Sequence, residues 1–205
     1  MAKKYYAVRN GRRPGIYTSW DECKSQVTGY PDAAFKGFMT EAEAREFIGL
    51  APETAGTVEN AGAVETQCAA AAYCDGSYHV KTKMFSCGVV IFHEGEKITY
   101  SCAFSDPELS AMRNVAGELK GAEYVMAYCI EKGIPSVEIF YDYQGIEKWC
   151  TGEWKTNKAG TKAYKAYYDA VKERLAVRFT KVKGHSGDKY NDMADRLAKN
   201  ALGID

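Results

Sequence analysis

Residues 68–77, CAAAAYCDGS, decide how this chain is read. Small and apolar side chains run from Cys68 to Cys74 and then meet Asp75, Gly76 and Ser77, so the segment reads as a buried strand with a carboxylate at its mouth. Residues 137–142, VEIFYD, repeat the pattern with Asp142 as the closing acid. Two more acids lie on helical patterns: Glu118 within AGELKGAEYVM and Asp195 within NDMADRLAKNAL, whose apolar stripes pack on the same sheet. Four carboxylates from four elements are costly to gather unless a cation neutralises them, because like charges a few ångströms apart disfavour joint ionisation. The expected consequence is an oxygen-rich divalent metal site suited to magnesium.

Working outward, residues 68–205 read strand, strand, strand, helix, strand, helix, strand, helix. AAAYCDGS, CGVVIFHE and KITYSCAF are the first three strands, with EGEK as a hairpin turn between the second and third. A helix through 111–132 stops at Gly133 and Pro135, VEIFYD is the fourth strand, KAYKAYYDAVKERL a helix, AVRFTKVKG the fifth strand and NDMADRLAKNAL the last helix. Antiparallel strands followed by alternating strand and helix imply an α/β fold: a mixed five-stranded sheet flanked by helices.

Residues 1–50 read as a separate small α+β unit. YYAVR and GIYTS form a hairpin across the turn NGRRPG, Ser19 caps the helix WDECKSQV, AAFKGFM is an apolar segment, and Thr40 with Glu43 forms a capping box for TEAEAREFIG. Residues 51–67, APETAGTVENAGAVETQ, are poor in large apolar side chains and carry Glu53, Glu59 and Glu65 with no base, the composition of a flexible linker.

Formal net charge is zero over 205 residues, so no global field advertises a partner. Locally, Lys3, Lys4, Arg9, Arg12, Arg13, Lys24 and Lys36 outnumber Asp21, Glu22 and Asp32 in the first 40 residues, and residues 145–190 are also basic. Two basic surfaces fit a polyanion better than a membrane; the same charges also describe ordinary solvated faces. The seven cysteines occur singly, without CxxC pairs, which points to reduced thiols in a cytoplasm rather than a disulfide scaffold or zinc site. The N-terminus lacks the apolar core of a signal peptide and no run reaches membrane-span length, so a cytoplasmic protein is expected.

Taken in order and spacing, YCDGS, GELKGA, FYDYQ and GHSGDKYNDMADRLA closely resemble type 1 ribonuclease H over residues 70–202, and residues 5–47 resemble the hybrid-binding, or viroplasmin-like, domain found at the N-terminus of some members. The resemblance implies domains at 1–50 and 68–205 joined by the 51–67 linker. It implies an endonuclease that hydrolyses the RNA strand of RNA/DNA hybrids and leaves 5′-phosphate and 3′-hydroxyl ends. It places the family's catalytic acids at Asp75, Glu118, Asp142 and Asp195, holding two Mg²⁺ ions with Mn²⁺ as a substitute and with Asp75 bridging both. Asp192, three residues before Asp195, is assigned to the helix dipole instead. His185, flanked by Gly184 and Gly187, takes the place of the mobile-loop histidine that assists proton transfer or product departure.

For the substrate, the resemblance puts Asn114 and Gln144 against the minor groove, where amides exchange hydrogen bonds with 2′-hydroxyls. Val115 stands where a second amide is usual, and Arg113 where a small hydroxyl contacts a DNA phosphate. Residues 145–165 are too short for the extra helix and basic loop of some relatives; Lys148, Lys155, Lys158 and Lys162 cover part of that surface, over packing tryptophans Trp149 and Trp154. In the first domain Trp20 and Phe35 match an aromatic pair near the DNA strand and Lys36 a phosphate contact, while Gly37 replaces a second lysine; core packing is the other reading of the two aromatics. The expected partner is an RNA/DNA hybrid, with no membrane and no obligate protein partner. The rival readings are a catalytically quiet hybrid- or RNA-binding protein and a related nuclease acting on DNA.

Overall fold

The computed structural model describes residues 4–13, 15–31, 33–40, 43, 44, 47, 64–184 and 187–204. The chain divides into two compact units, with the principal change at Thr57/Val58.

The first unit is a three-stranded antiparallel sheet of β1 (Tyr5–Asn10), β2 (Gly15–Tyr17) and β3 (Ala34–Phe38) in the order β2-β1-β3, with helix α1 (Trp20–Val27) following the hairpin. Alternation along the central strand sends Ala7 to one face, with Ile16, Phe38, Ala44 and Phe47. Val8 goes to the other, with Cys23 and Val27 of α1. Ser19 caps α1 as expected, accepting from the Glu22 amide at 3.2 Å. The capping box also forms: the Thr40 hydroxyl accepts from the Glu43 amide at 3.3 Å and the Glu43 carboxylate accepts from the Thr40 amide at 3.2 Å. Most of the helix expected after it lies outside the described residues.

The second unit is a five-stranded mixed sheet of order β6-β5-β4-β7-β8. Its strands are β4 (Ala70–Tyr78), β5 (Phe85–His93), β6 (Glu96–Phe104), β7 (Ser136–Tyr141) and β8 (Ala176–Lys181). Five helices intervene or follow: α2 (Pro107–Ser110), α3 (Asn114–Lys132), α4 (Gly145–Thr151), α5 (Ala159–Val171) and α6 (Lys189–Ala201). β4 pairs antiparallel with β5 and parallel with β7, which pairs parallel with β8. The turn expected at EGEK is a two-residue one, Glu94 and Gly95, with positive φ at both, as tight hairpins require. Gly133 ends α3 in the left-handed conformation.

Two differences from the sequence reading have physical causes. Asp75 does not close its strand: β4 continues to Tyr78 because β5 supplies ladder partners as far as Phe85. α4 lies between VEIFYD and KAYKAYYDAVKERL, where the sequence pattern assigns no element, and Gly152, left-handed at its C-terminal end, is the stop signal that marks it.

Helices cover both faces of this sheet, and glycines set their approach. On one face a Cβ at Gly76 would collide with the Asn114 carbonyl and the Glu118 amide of α3; on the other a Cβ at Gly88 would collide with the backbone of α6 at Ala194 and Ala198. Without side chains there, both helix backbones lie directly on the strands. Tyr73, Val90, Phe140 and Ala194 form the core beneath α6, joined by Val64. Thr66 donates to the buried Glu138 carboxylate of β7 at 2.7 Å and Thr180 of β8 at 2.5 Å, so residues 64–67, read as linker, are fastened to the sheet. Burial opposes ionisation of Glu138, but these hydrogen bonds and the Arg178 charge hold it below the usual glutamate range.

Candidate functional site

Parallel pairing brings the first two acids together. β4 and β7 match Ala71 with Glu138 and Tyr73 with Phe140, and continuing that register places Asp75 opposite Asp142. Glu118 joins them from α3 across the contact made at Gly76. One carboxylate oxygen from each of Asp75, Glu118 and Asp142 lies within 4.8 Å of the others, the first two residues being buried.

The electrostatics show negative charge that the protein compensates only in part. Burial, then the charges of Asp75 and Asp142, push the Glu118 carboxyl up to about 9, against one favourable hydrogen bond from the Asn114 amide at 3.2 Å. Burial and Asp142 push Asp75 up to about 7, although its oxygen accepts from the Gly76 amide at 2.6 Å. A divalent cation removes both penalties, and a convergent set of hard carboxylate oxygens fits magnesium.

Asp195 stands apart from that trio. Its carboxylate accepts from Lys199, one helical turn on, at 2.7 Å, while its charge still acts on Asp75. Asp192 lies in the first turn of α6 as expected, but the cap itself is Asp188, whose carboxylate accepts from the Tyr190 and Asn191 amides at 3.0 and 3.1 Å. His185 lies outside the described residues. Its neighbour Gly184 is placed: a Cβ there would stand 2.5 Å from an Asp142 oxygen, a packing constraint that the sequence reading missed.

Around the trio, Asn114 and Gln144 are exposed at the starts of α3 and α4. Arg113 is exposed just before α3 with φ 54°, a left-handed conformation that costs a non-glycine residue free energy. Beyond Asp142, the rings of Tyr143, Trp149 and Trp154 pack on one another, with centroids 5.7–6.2 Å apart, and Lys148 lies 5.7 Å over Trp154. Lys155, Lys158 and Lys162 are exposed, so tryptophans beneath a basic surface are what the fold contains.

In the first unit Trp20 and Phe35 are not core residues: they are 43% and 42% exposed, with ring centroids 5.7 Å apart. Tyr6 of β1 extends the row, 5.6 Å from Trp20, a member that only its cross-strand position could have announced. Lys36 is exposed on β3 beside Phe35. None of the seven cysteines is joined in a disulfide, and no helix among the described residues is long and apolar enough to cross a membrane.

A mixed sheet with convergent acids on adjacent parallel strands, sandwiched between helices, defines a metal-dependent class of phosphodiester hydrolases. Residues 67–203 match the RNase H family and residues 4–48 match the ribonuclease H1 N-terminal domain. The chain belongs to the ribonuclease H family. Ribonuclease H1 of Homo sapiens is 25% identical over 252 aligned residues, covering 95% of this chain and 88% of the human protein. The crystal structure of RNase H1 from the halophilic archaeon Halobacterium salinarum superposes with TM-score 0.55 at 21% identity, covering 65% of this chain and 97% of that one. LC11-RNase H1, solved in complex with an RNA/DNA hybrid, gives TM-score 0.52 at 18% identity over 65% of this chain and 99% of its own.

Proposed function

We propose that this chain is an endoribonuclease that hydrolyses the RNA strand of RNA/DNA hybrids, with binding concentrated in residues 1–50 and cleavage in residues 68–205. The observation that carries the proposal is the meeting of Asp75, Glu118 and Asp142 within 4.8 Å on a ribonuclease H sheet. Asp75, Glu118 and Asp142 would hold the magnesium, with Asp195 of α6 as the fourth acid of the set. When bound, a pair of Mg²⁺ ions supplies activation of the attacking water and stabilisation of the leaving 3′ oxygen, so that products carry 5′-phosphate and 3′-hydroxyl ends.

The remaining work falls to the protein's own groups. Asn114 holds the Glu118 carboxylate through the hydrogen bond at 3.2 Å and, being exposed, presents the rest of its amide to the minor groove; Gln144, exposed two residues after Asp142, presents its own amide there. His185 serves proton transfer or product departure. In the first unit, Tyr6, Trp20 and Phe35 offer an apolar row on which deoxyribose packs while a 2′-hydroxyl loses its water, and Lys36 meets a phosphate. Tethering two such units raises the effective concentration of hybrid at the acids. Seven cysteines outside any disulfide suit a reducing compartment, and we assign the protein to the cytoplasm.

A substrate panel tests the proposal. Labelled RNA/DNA hybrid, double-stranded RNA, double-stranded DNA and single-stranded RNA are incubated with the full chain and Mg²⁺ or EDTA. Cutting confined to the RNA strand of the hybrid and abolished by EDTA is expected. Metal-dependent cutting of DNA, or metal-independent binding without turnover, would reject it.

A further inference from the structure

Two exposed lysines with no role in the reading above lie at the acid-bearing end of the sheet, on a loop joined by a hydrogen bond to the turn that carries Arg113. The loop joins β4 to β5, residues 79–84, HVKTKM, and starts directly after the strand that carries Asp75. Its own hydrogen bonds fix its shape: the His79 amide donates to the Met84 carbonyl at 2.8 Å and the Lys83 amide to the His79 carbonyl at 2.9 Å. The Thr82 amide donates to His79 Nδ1 at 3.1 Å. The Ser110 hydroxyl donates to the Lys83 carbonyl at 2.5 Å, and the Arg113 amide donates to the Ser110 carbonyl at 3.0 Å. The loop is thereby tied to the turn that launches α3, one residue before Asn114 and five before Glu118.

Lys81, Lys83 and Arg113 are all exposed on this scaffold. Among the described residues no carboxylate pairs with any of the three. Exposed like charges on neighbouring, hydrogen-bonded segments gain nothing from one another, whereas a polyanion passing this end of the sheet is attracted to each of them. The anion available at this end of the sheet is the phosphate backbone of the polymer on which the acids act.

We propose that Lys81, Lys83 and Arg113 form a phosphate-binding surface that grips the substrate backbone beside the acids, with the 79–84 loop as its rigid carrier. The inference rests on the proposed nuclease function and deepens it: the two loop lysines, which the family assignment did not single out, set affinity at the catalytic unit.

The test compares wild type, K81Q/K83Q and the control K97Q/K132Q as full chains. Lys97 at the start of β6 and Lys132 at the end of α3 lie at the opposite end of the sheet, so the control makes the same change in net charge away from the acids. Cleavage of a labelled hybrid is followed at several KCl concentrations. For K81Q/K83Q the expected result is a KM raised roughly fivefold to tenfold, with the change confined to KM. The plot of log(kcat/KM) against log[KCl] becomes shallower by about 2, close to one released counterion per lost cation. The control keeps the wild-type KM and slope. An unchanged KM and slope in K81Q/K83Q, or an equal loss in the control, overturns the proposal. Fluorescence anisotropy of the same hybrid in EDTA reads the surface without turnover. A wild type that binds with the predicted slope difference but never cuts refutes the nuclease assignment and leaves the surface standing.

Discussion

Replacing Glu118 with Gln should abolish cleavage while making the metal-free protein more stable, because the acid site is a point of stored repulsion. The Glu118 carboxyl moves from an ordinary 4.5 to about 9 in the fold. The folded state therefore holds this proton more tightly than the unfolded chain does. The sign follows: metal-free stability is greatest below about pH 4.5, falls as pH rises, and stops falling above about pH 9. Each pH unit in that window costs about 1.4 kcal/mol, which sets a ceiling of roughly 5 kcal/mol at pH 8. Asp75, raised to about 7 in the same cluster, shares that charge, so one substitution recovers only part of it. A gain of about 2–3 kcal/mol corresponds to a Tm increase of roughly 4–12 °C for the unfolding of a unit this size. Glutamine keeps the shape and still accepts from the Asn114 amide. The assay is thermal unfolding by circular dichroism at pH 5 and pH 8 in EDTA, then with 10 mM MgCl₂. The variant should exceed wild type at pH 8, approach it at pH 5, and lose most of the stabilisation that magnesium gives wild type. A variant Tm equal to or below wild type at pH 8 in EDTA would refute the reasoning.

Two further outcomes follow from the geometry. Gly184→Ala puts a methyl group against the Asp142 carboxylate and should lower kcat at least about tenfold by displacing a ligand, while Tm moves little because the collision involves one mobile oxygen; unchanged kinetics would show that Gly184 does not constrain Asp142. Trp20→Ala should lower Tm only slightly, since the ring is 43% exposed, yet weaken hybrid binding about tenfold, the loss expected of one stacking aromatic; anisotropy with a labelled hybrid measures it, and equal affinity removes the aromatic row from the binding surface.

Much of the fold was legible because the signals were local and redundant. Gly133 with Pro135 ends α3, Glu94 and Gly95 make the hairpin turn, and Thr40 with Glu43 builds the capping box where the sequence placed it. Asp75, Glu118 and Asp142 were legible as a set because each lay on a separate strand or helix pattern whose apolar side had only one sheet to pack on. What escaped depended on partners distant in sequence. The extension of β4 beyond Asp75 needs β5 opposite it, the docking of residues 64–67 needs Glu138 buried 72 positions beyond Thr66, and Tyr6 joins Trp20 only once β1 and α1 have packed. The short helix α4 has a weak pattern of its own, and its best signal, Gly152, marks only where it stops. Asp195 followed a different logic. Sequence set it with the other acids; its ion pair with Lys199, one helical turn on in α6, is a local contact that the reading of the acids did not weigh.

The most direct measurement sets wild type against Asp142→Asn on a hybrid labelled at both the RNA and the DNA strand, in Mg²⁺, under single-turnover conditions. The account predicts that wild type cuts the RNA strand, leaves the DNA intact, and outpaces the variant by at least about a hundredfold, the scale of losing one essential charge in a preorganised site. Equal cleavage by the two proteins, or cutting of the DNA strand by wild type, would contradict it.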